Sequence, residues 1–255
     1  MPITSENPVL LLKDSLKTKR HMNKSKNNVY EFVTHTWNPI KGLCEYQCVY
    51  CYMVGMFQRF KLNTAIRSDI KALNQNLGKK NFIFVGSSID MWSPAVDSEW
   101  IVKSLDHCYN YKENKYLFQS KSPKRFPDFL QHPLMANKDN LIFATTLETN
   151  EDISLYSKAA SIEERISPMV KIRSLGYDVM VTLEPVMQFD FAKLIMLLRS
   201  IAPFQVNIGC NSNKSVKLKQ PTKDQLTVLI KELETFTHVH LKGNAARILG
   251  DLSKI

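Results

Sequence analysis

Seven short apolar runs punctuate the chain: VYEFVTHTW (29–37), NFIFVGSS (81–88), KYLFQSK (115–121), LIFATTLE (141–148), YDVMVTLEP (177–185), FQVNIGCN (204–211) and HVHLKGN (238–244). Their apolar density predicts strands buried on both faces, as in a parallel sheet. Helical spacing appears between them, through Trp100, Ile101, Leu105 and Cys108, then through Leu194, Ile195, Leu197, Leu198 and Ile201. A third helical stretch runs through Leu226, Leu229, Ile230 and Leu233. Ser93-Pro94, Ser122-Pro123 and Pro221-Thr222 supply helix starts, and Gly176 and Pro203 sit where helices should stop. Strand and helix alternating six or seven times predict an α/β fold, a mostly parallel sheet or barrel with outer helices. Nothing divides residues 29–255, which read as a single domain. Residues 1–28 are polar and basic and read as an N-terminal arm.

In such folds ligands collect at the carboxyl ends of the strands. Polar residues sit there in nearly every run: His35, Gly86-Ser87-Ser88, Lys121, Glu148, Glu184, Cys210-Asn211 and Lys242. Turns and helix caps also begin at strand ends, so any one of these means little alone. As a set they face the loop after the first strand, where three of the five cysteines crowd into eight residues, Cys44, Cys48 and Cys51.

A disulfide framework would be smaller and evenly supplied with cysteine; a tight odd cluster reads as metal binding. Thiolates are the ligands of iron–sulfur clusters, and three of them on one loop hold three irons and leave a fourth position open. The competing reading is a Cys3His zinc site completed by His21, His35 or His240.

Composition narrows the setting. With 44% apolar residues the chain is not disordered, and no apolar run approaches the roughly 20 residues that span a bilayer. The opening MPITSENPVLLLKDSLKTKR places acids before its apolar run and bases after it, the reverse of a secretory signal, so a cytoplasmic protein is expected. The net charge is +10, and 26 of the 34 basic residues are Lys. That balance favours a polyanionic partner held through phosphates rather than a duplex sequence read by Arg.

The spacing C-x3-C-x2-C, with Tyr50 before the last cysteine on the loop after the first strand, resembles the radical SAM superfamily. The resemblance implies a (β/α)6-type partial TIM barrel and a 4Fe–4S cluster on Cys44, Cys48 and Cys51. It implies S-adenosylmethionine on the open iron, cleaved by one electron to a 5′-deoxyadenosyl radical that abstracts hydrogen from substrate. An electron donor such as flavodoxin or ferredoxin would be a partner. TWNPIKGLC with CVYCY, FVGSSIDMW, SKSPKRF, VTLEPV and HLKGN are similar to a phage-associated branch of the superfamily, itself distantly similar to the spore photoproduct lyase group.

Carried over by position, Tyr50 lies near the adenine and Gly86-Ser87-Ser88 takes the place of the Gly-Gly-Glu segment that meets the methionine amino group. That segment has lost its acid here, and Asp90 or the backbone would substitute. Glu148 and Asn150 stand where the ribose or carboxylate is often bound. Cys210 is a candidate hydrogen-atom donor, against the ordinary role of a buried thiol. Glu184 is a candidate SAM or substrate contact. Lys121, Asn211, Lys214 and Lys242, with Lys217 and Lys219 in the same late loop, are candidate substrate contacts. The expected activity is radical modification or repair of a base in phage DNA or RNA. The alternatives are radical modification of a peptide or small metabolite, and a non-catalytic Fe–S or zinc protein that binds nucleic acid.

Overall fold

The structure, a computed structural model, describes residues 22–25, 30–213 and 215–251. All seven apolar runs contain strands. In chain order the elements are β1 (Asn23–Lys24), β2 (His35–Trp37), β3 (Ile40–Lys41), α1 (Tyr52–Phe60), β4 (Arg67–Ser68), α2 (Ile70–Leu73) and β5 (Phe82–Val85). There follow α3 (Ser98–Tyr109), β6 (Lys115–Ser120), β7 (Leu141–Thr146), α4 (Ile162–Ser174), β8 (Asp178–Leu183) and α5 (Phe191–Ile201). The chain ends through β9 (Gln205–Ile208), α6 (Lys223–Leu233), β10 (His238–Leu241) and α7 (Ala246–Leu249).

One eight-stranded sheet runs β1-β2-β5-β6-β7-β8-β9-β10, and β3 pairs with β4 in a separate ribbon. Every pair in the large sheet is parallel except β1 on β2. This is the α/β partial barrel expected.

Two apolar layers hold it. On the outer face, helix residues such as Ile101, Leu105, Met169, Leu198 and Leu229 pack on Ile83, Phe118, Phe143, Val181 and Val206. On the inner face Phe84, Leu117 and Ile142 lie side by side across β5, β6 and β7 and join Tyr30, Val33, Ala144 and Met180. Further along the strands that face turns polar, through Gln119, Thr146, Thr182 and Asn207. Gln119 donates to Thr146 at 3.0 Å, and Asn207 donates to Thr182 at 3.4 Å. The barrel thus has an apolar floor and a polar mouth at the carboxyl ends of its strands.

The structure departs from the sequence pattern in four places. The run at 29–37 forms a strand only from His35, because Tyr30 and Val33 turn into the inner core. The Tyr30 hydroxyl lies 2.7 Å from both Gln119 and Thr182, and Phe32 meets His240 of β10 edge-on at 5.8 Å. Ser93-Pro94 does not start α3; Asp97 does, its carboxylate accepting from Glu99 N at 2.8 Å. Ser122-Pro123 opens a 3-10 stretch, Pro123–Phe129. Within the expected arm, Asn23 and Lys24 pair with Thr36 and His35; residues 1–21 and 26–29 lie outside the described residues.

Candidate functional site

The cysteine loop is shaped by backbone constraints. Gly42 has φ +129°, and a Cβ there would lie 2.6 Å from Ala65 O and Ile66 Cα, so only glycine permits the crossing beneath the ribbon. Leu43 N donates to Thr64 O at 2.9 Å, and Glu45 caps Ala95 N at 3.1 Å. Val49 N donates to Tyr156 O at 2.9 Å and Lys158 N to Tyr46 O at 2.8 Å. The loop is therefore tied to the connections after β5 and β7, and Cys51 is the N-cap of α1. All five cysteines are free thiols.

Around Cys48 the mouth residues converge. Its sulfur lies 3.1 Å from Ser157 Oγ and 3.8 Å from Lys121 Nζ. Lys121, just past β6, also donates to Tyr50 Oη at 2.9 Å and to Glu148, its ammonium sitting over the Tyr50 ring at 4.5 Å from the centroid. Glu148, just past β7, further accepts from the Tyr50 hydroxyl and from Arg165 Nη1 at 2.7 Å. Arg165, on α4, donates as well to Thr146 O at 2.7 Å and Ala160 O at 2.8 Å.

Burial pushes the Glu148 carboxyl up, but Lys121 and Arg165 outweigh it and hold it down at about 2. Burial pushes the Tyr50 phenol up, and Glu148 beside it pushes further the same way, so Tyr50 remains a donor. Two cations around one carboxylate leave one positive charge beside the cysteines. Burial raises the Cys51 thiol, and burial with nearby Asp90 raises Cys44 to about 12. These thiols ionise on binding a metal, which supplies the missing positive charge.

A second group forms across the mouth. Glu184, just past β8, accepts from Lys242 Nζ at 2.5 Å and from Asn244 Nδ2 at 3.0 Å. Gly209 lies close opposite it: a Cβ there would lie 2.6 Å from Glu184 Oε1 and 2.9 Å from Asn244 Oδ1, so either side chain would have to shift. The Glu184–Pro185 bond is cis. Lys242 covers the Tyr30 ring at 4.9 Å.

The turn Gly86-Ser87-Ser88 is held against β2. Asn38 Oδ1 accepts from Ser88 N at 2.9 Å, and Asn38 Nδ2 donates to Ser87 Oγ at 3.2 Å. Asp90 accepts from Trp92 N at 3.0 Å, Ser120 Oγ at 3.0 Å and Lys121 N at 2.7 Å, and burial raises its carboxyl to about 6. Both ends of the Asn150 amide are taken by the Asp190 backbone. Asn211 shapes its own loop, bonded to Asn213 and Val216. Cys210 is not brought to the mouth: its thiol is buried in the helix-side core, 3.8 Å from Ala245 O. Lys121 does not extend to solvent but turns toward Cys48. Lys214 and His21 lie outside the described residues.

Three contributors escaped the sequence reading. Asn38 stood in the WNP motif and Asn244 in HLKGN, both visible as motifs without a role. Arg165 had no signal, since an arginine between apolar positions reads as the polar edge of a helix.

Among the described residues no three His, Cys, Asp or Glu side chains converge where one ion would sit. His35 bonds Thr34 and His240 packs on Phe32, and neither joins the thiols. Among the described residues, which do not include His21, no mononuclear Cys3His site is formed. Three soft thiols on one rigid loop, each free to hold a different iron, with a lysine beside one of them, fit a 4Fe–4S cluster in chemistry and charge. Among the described residues no helix is long and apolar enough to cross a membrane.

A family described as a protein of unknown function (DUF5131) matches residues 27–194. No curated protein matches the chain in sequence. Among solved structures, a spore photoproduct lyase mutant with bound AdoMet and dinucleoside spore photoproduct is 12% identical with a TM-score of 0.62. The match covers 95% of this chain and 86% of that one. Streptococcus suis SuiB bound to S-adenosylmethionine is 11% identical with a TM-score of 0.51, covering 95% of this chain and 55% of that one. SuiB bound to the precursor peptide SuiA is 13% identical with a TM-score of 0.52, covering 95% and 56%. At these identities the likeness is one of fold, and the chain spans little more than half the length of SuiB.

Proposed function

The chain belongs to the DUF5131 family, and from the site it builds we propose that it is a radical SAM enzyme acting on a nucleic-acid base. The observation that carries the reading is the rigid Cys44–Cys48–Cys51 loop set at the polar mouth of the partial barrel, with Lys121 aimed at Cys48. When bound, a 4Fe–4S cluster supplies the electron that breaks a carbon–sulfur bond of S-adenosylmethionine and leaves a carbon radical able to abstract hydrogen.

The chain's own residues do the rest. Cys44, Cys48 and Cys51 hold three irons. Glu148, fixed by Arg165, keeps Lys121 and Tyr50 on one wall beside Cys48, where a cation offsets thiolate charge. Asn38 holds the Gly86-Ser87-Ser88 turn so that its backbone can meet the methionine end of the cofactor. Glu184 and Lys242, across the mouth, meet the substrate. The apolar floor of Tyr30, Phe84, Leu117 and Ile142 closes the far end against water.

A base in phage DNA or RNA is the proposed substrate. The Lys-rich net charge supports it, as does a neighbour of like fold that is complexed with dinucleoside spore photoproduct. A base reaches such a mouth only from a single strand or flipped from its stack. A second reading, modification of a peptide, rests on the peptide held by SuiB. Anaerobic reconstitution with iron and sulfide tests the cofactor: about four of each per chain are expected. One zinc without sulfide would contradict the proposal.

A further inference from the structure

The connection between β7 and α4 presses a serine onto the cysteine loop. Val49 N donates to Tyr156 O at 2.9 Å, and Lys158 N donates to Tyr46 O at 2.8 Å. These two bonds bracket Cys48 on one segment and Ser157 on the other. Lys158 Nζ adds a bond to Gln47 Oε1 at 2.9 Å, and Gln47 itself takes a left-handed turn at φ +45°. Ser157 and Cys48 are thereby held face to face, Oγ 3.1 Å from Sγ, with exposures of only 6% and 7%.

The partners of Ser157 fix where its proton points. A hydroxyl has one hydrogen to donate and two lone pairs to accept with. Ala159 N donates to Ser157 Oγ at 3.1 Å and so occupies a lone pair. Cys48, once it ligates a metal, is a thiolate and can only accept. The Ser157 hydroxyl therefore donates to the Cys48 sulfur, a charge-assisted bond in a pocket closed to water. Lys121 Nζ approaches the same sulfur at 3.8 Å, but that ammonium is shared with Glu148 and Tyr50. The hydroxyl is committed to Cys48.

We propose that Ser157, by donating to Cys48, raises the reduction potential of the cluster that the cysteine loop holds. The proposal rests on the radical SAM reading and adds to it a residue outside the cysteine motif. One-electron reduction adds negative charge to a cluster and its ligating sulfurs. A donor to one of those sulfurs stabilises the reduced state more than the oxidised one, so its loss makes reduction harder. Ser157 touches neither substrate nor reacting atoms. It is a positioning residue that acts through Cys48, and its effect is read in the potential rather than in cluster assembly.

The test uses the full chain, reconstituted anaerobically with iron and sulfide. Its midpoint potential is read by dithionite titration followed by electron paramagnetic resonance. Ser157→Ala should hold as much iron and sulfide as the wild type yet be about tenfold harder to reduce at a given poise. That is a shift of about 59 mV toward more negative potential for one electron. Ser157→Thr keeps the hydroxyl and should restore the wild-type potential. Ser154→Ala, an exposed serine of the same connection bonded to Asp152, should leave it unmoved. A wild-type potential in fully loaded Ser157→Ala would overturn the proposal. So would iron lost from Ser157→Ala, or a shift that Ser157→Thr fails to restore, since either marks a packing role for the side chain. A wild-type chain that takes up zinc and no sulfide overturns the cluster reading and the role of Ser157 with it. A normal cluster whose potential ignores Ser157 overturns that role alone.

Discussion

Glu148 and Arg165 form an ion pair, Nη1 to Oε2 at 2.7 Å, in which neither side chain retains any solvent exposure. Two elements are coupled by it, since Glu148 stands just past β7 and Arg165 sits on the first turn of α4. The pair also fixes what happens at the cysteines, because the second carboxylate oxygen of Glu148 holds Lys121 against Cys48.

Removing one partner of a buried pair leaves an uncompensated charge. Arg165→Met should therefore cost about 3–5 kcal/mol of unfolding free energy, measured by denaturant titration. Glu148→Gln should cost a similar amount, and the double variant less than the sum of the two. Additive losses would show that the residues act independently.

Gly42→Ala should impair the cysteine loop specifically. The new Cβ collides with backbone at Ala65 and Ile66, which cannot yield as a flexible side chain would. Iron incorporation should fall severalfold while the far-ultraviolet circular dichroism of the barrel is kept. Gly55→Ala, at an α1 position with nothing within 4 Å, should keep full iron content and gain slightly in stability.

Asn38→Leu removes the side-chain hydrogen bonds to Ser87 and Ser88 that hold the turn after β5. S-adenosylmethionine affinity should drop about tenfold, the loss of roughly 1.4 kcal/mol, with unchanged iron. Equal affinity measured by calorimetry would remove Gly86-Ser87-Ser88 from the cofactor site.

Binding to single-stranded DNA or RNA should weaken steeply with salt, with a log–log slope near −0.7 per phosphate contact. Lys242→Gln also removes the cation paired with Glu184, so its effect should exceed that of Lys219→Gln, an exposed lysine in the late loop. No binding to any oligonucleotide at low salt would shift the substrate toward a peptide.

The barrel was legible because parallel strands buried on both faces write themselves as dense apolar runs, and all seven runs hold strands. The first run misled at its start because Tyr30 and Val33 are apolar for another reason: they floor the inner face rather than pair. Helix α4 hid because Pro168 and the buried Arg165 interrupt its apolar stripe. At the site, cysteine spacing pointed to the cluster loop directly. Lys121 read as a candidate substrate contact, since charge alone cannot tell that Glu148 lies within reach to turn it inward. Cys210 stood at a strand end like the mouth residues, but strand alternation sends its side chain to the helix face while Gly209 meets Glu184.

The most direct measurement is anaerobic incubation of the reconstituted chain with S-adenosylmethionine and dithionite, followed by chromatography for 5′-deoxyadenosine. Wild type and Cys108→Ala should form it, the second because Cys108 is a core thiol under Tyr116 and no ligand. Cys44→Ala, Cys48→Ala and Cys51→Ala should form none. Wild-type protein with a full complement of iron and sulfide that yields no 5′-deoxyadenosine would contradict the account.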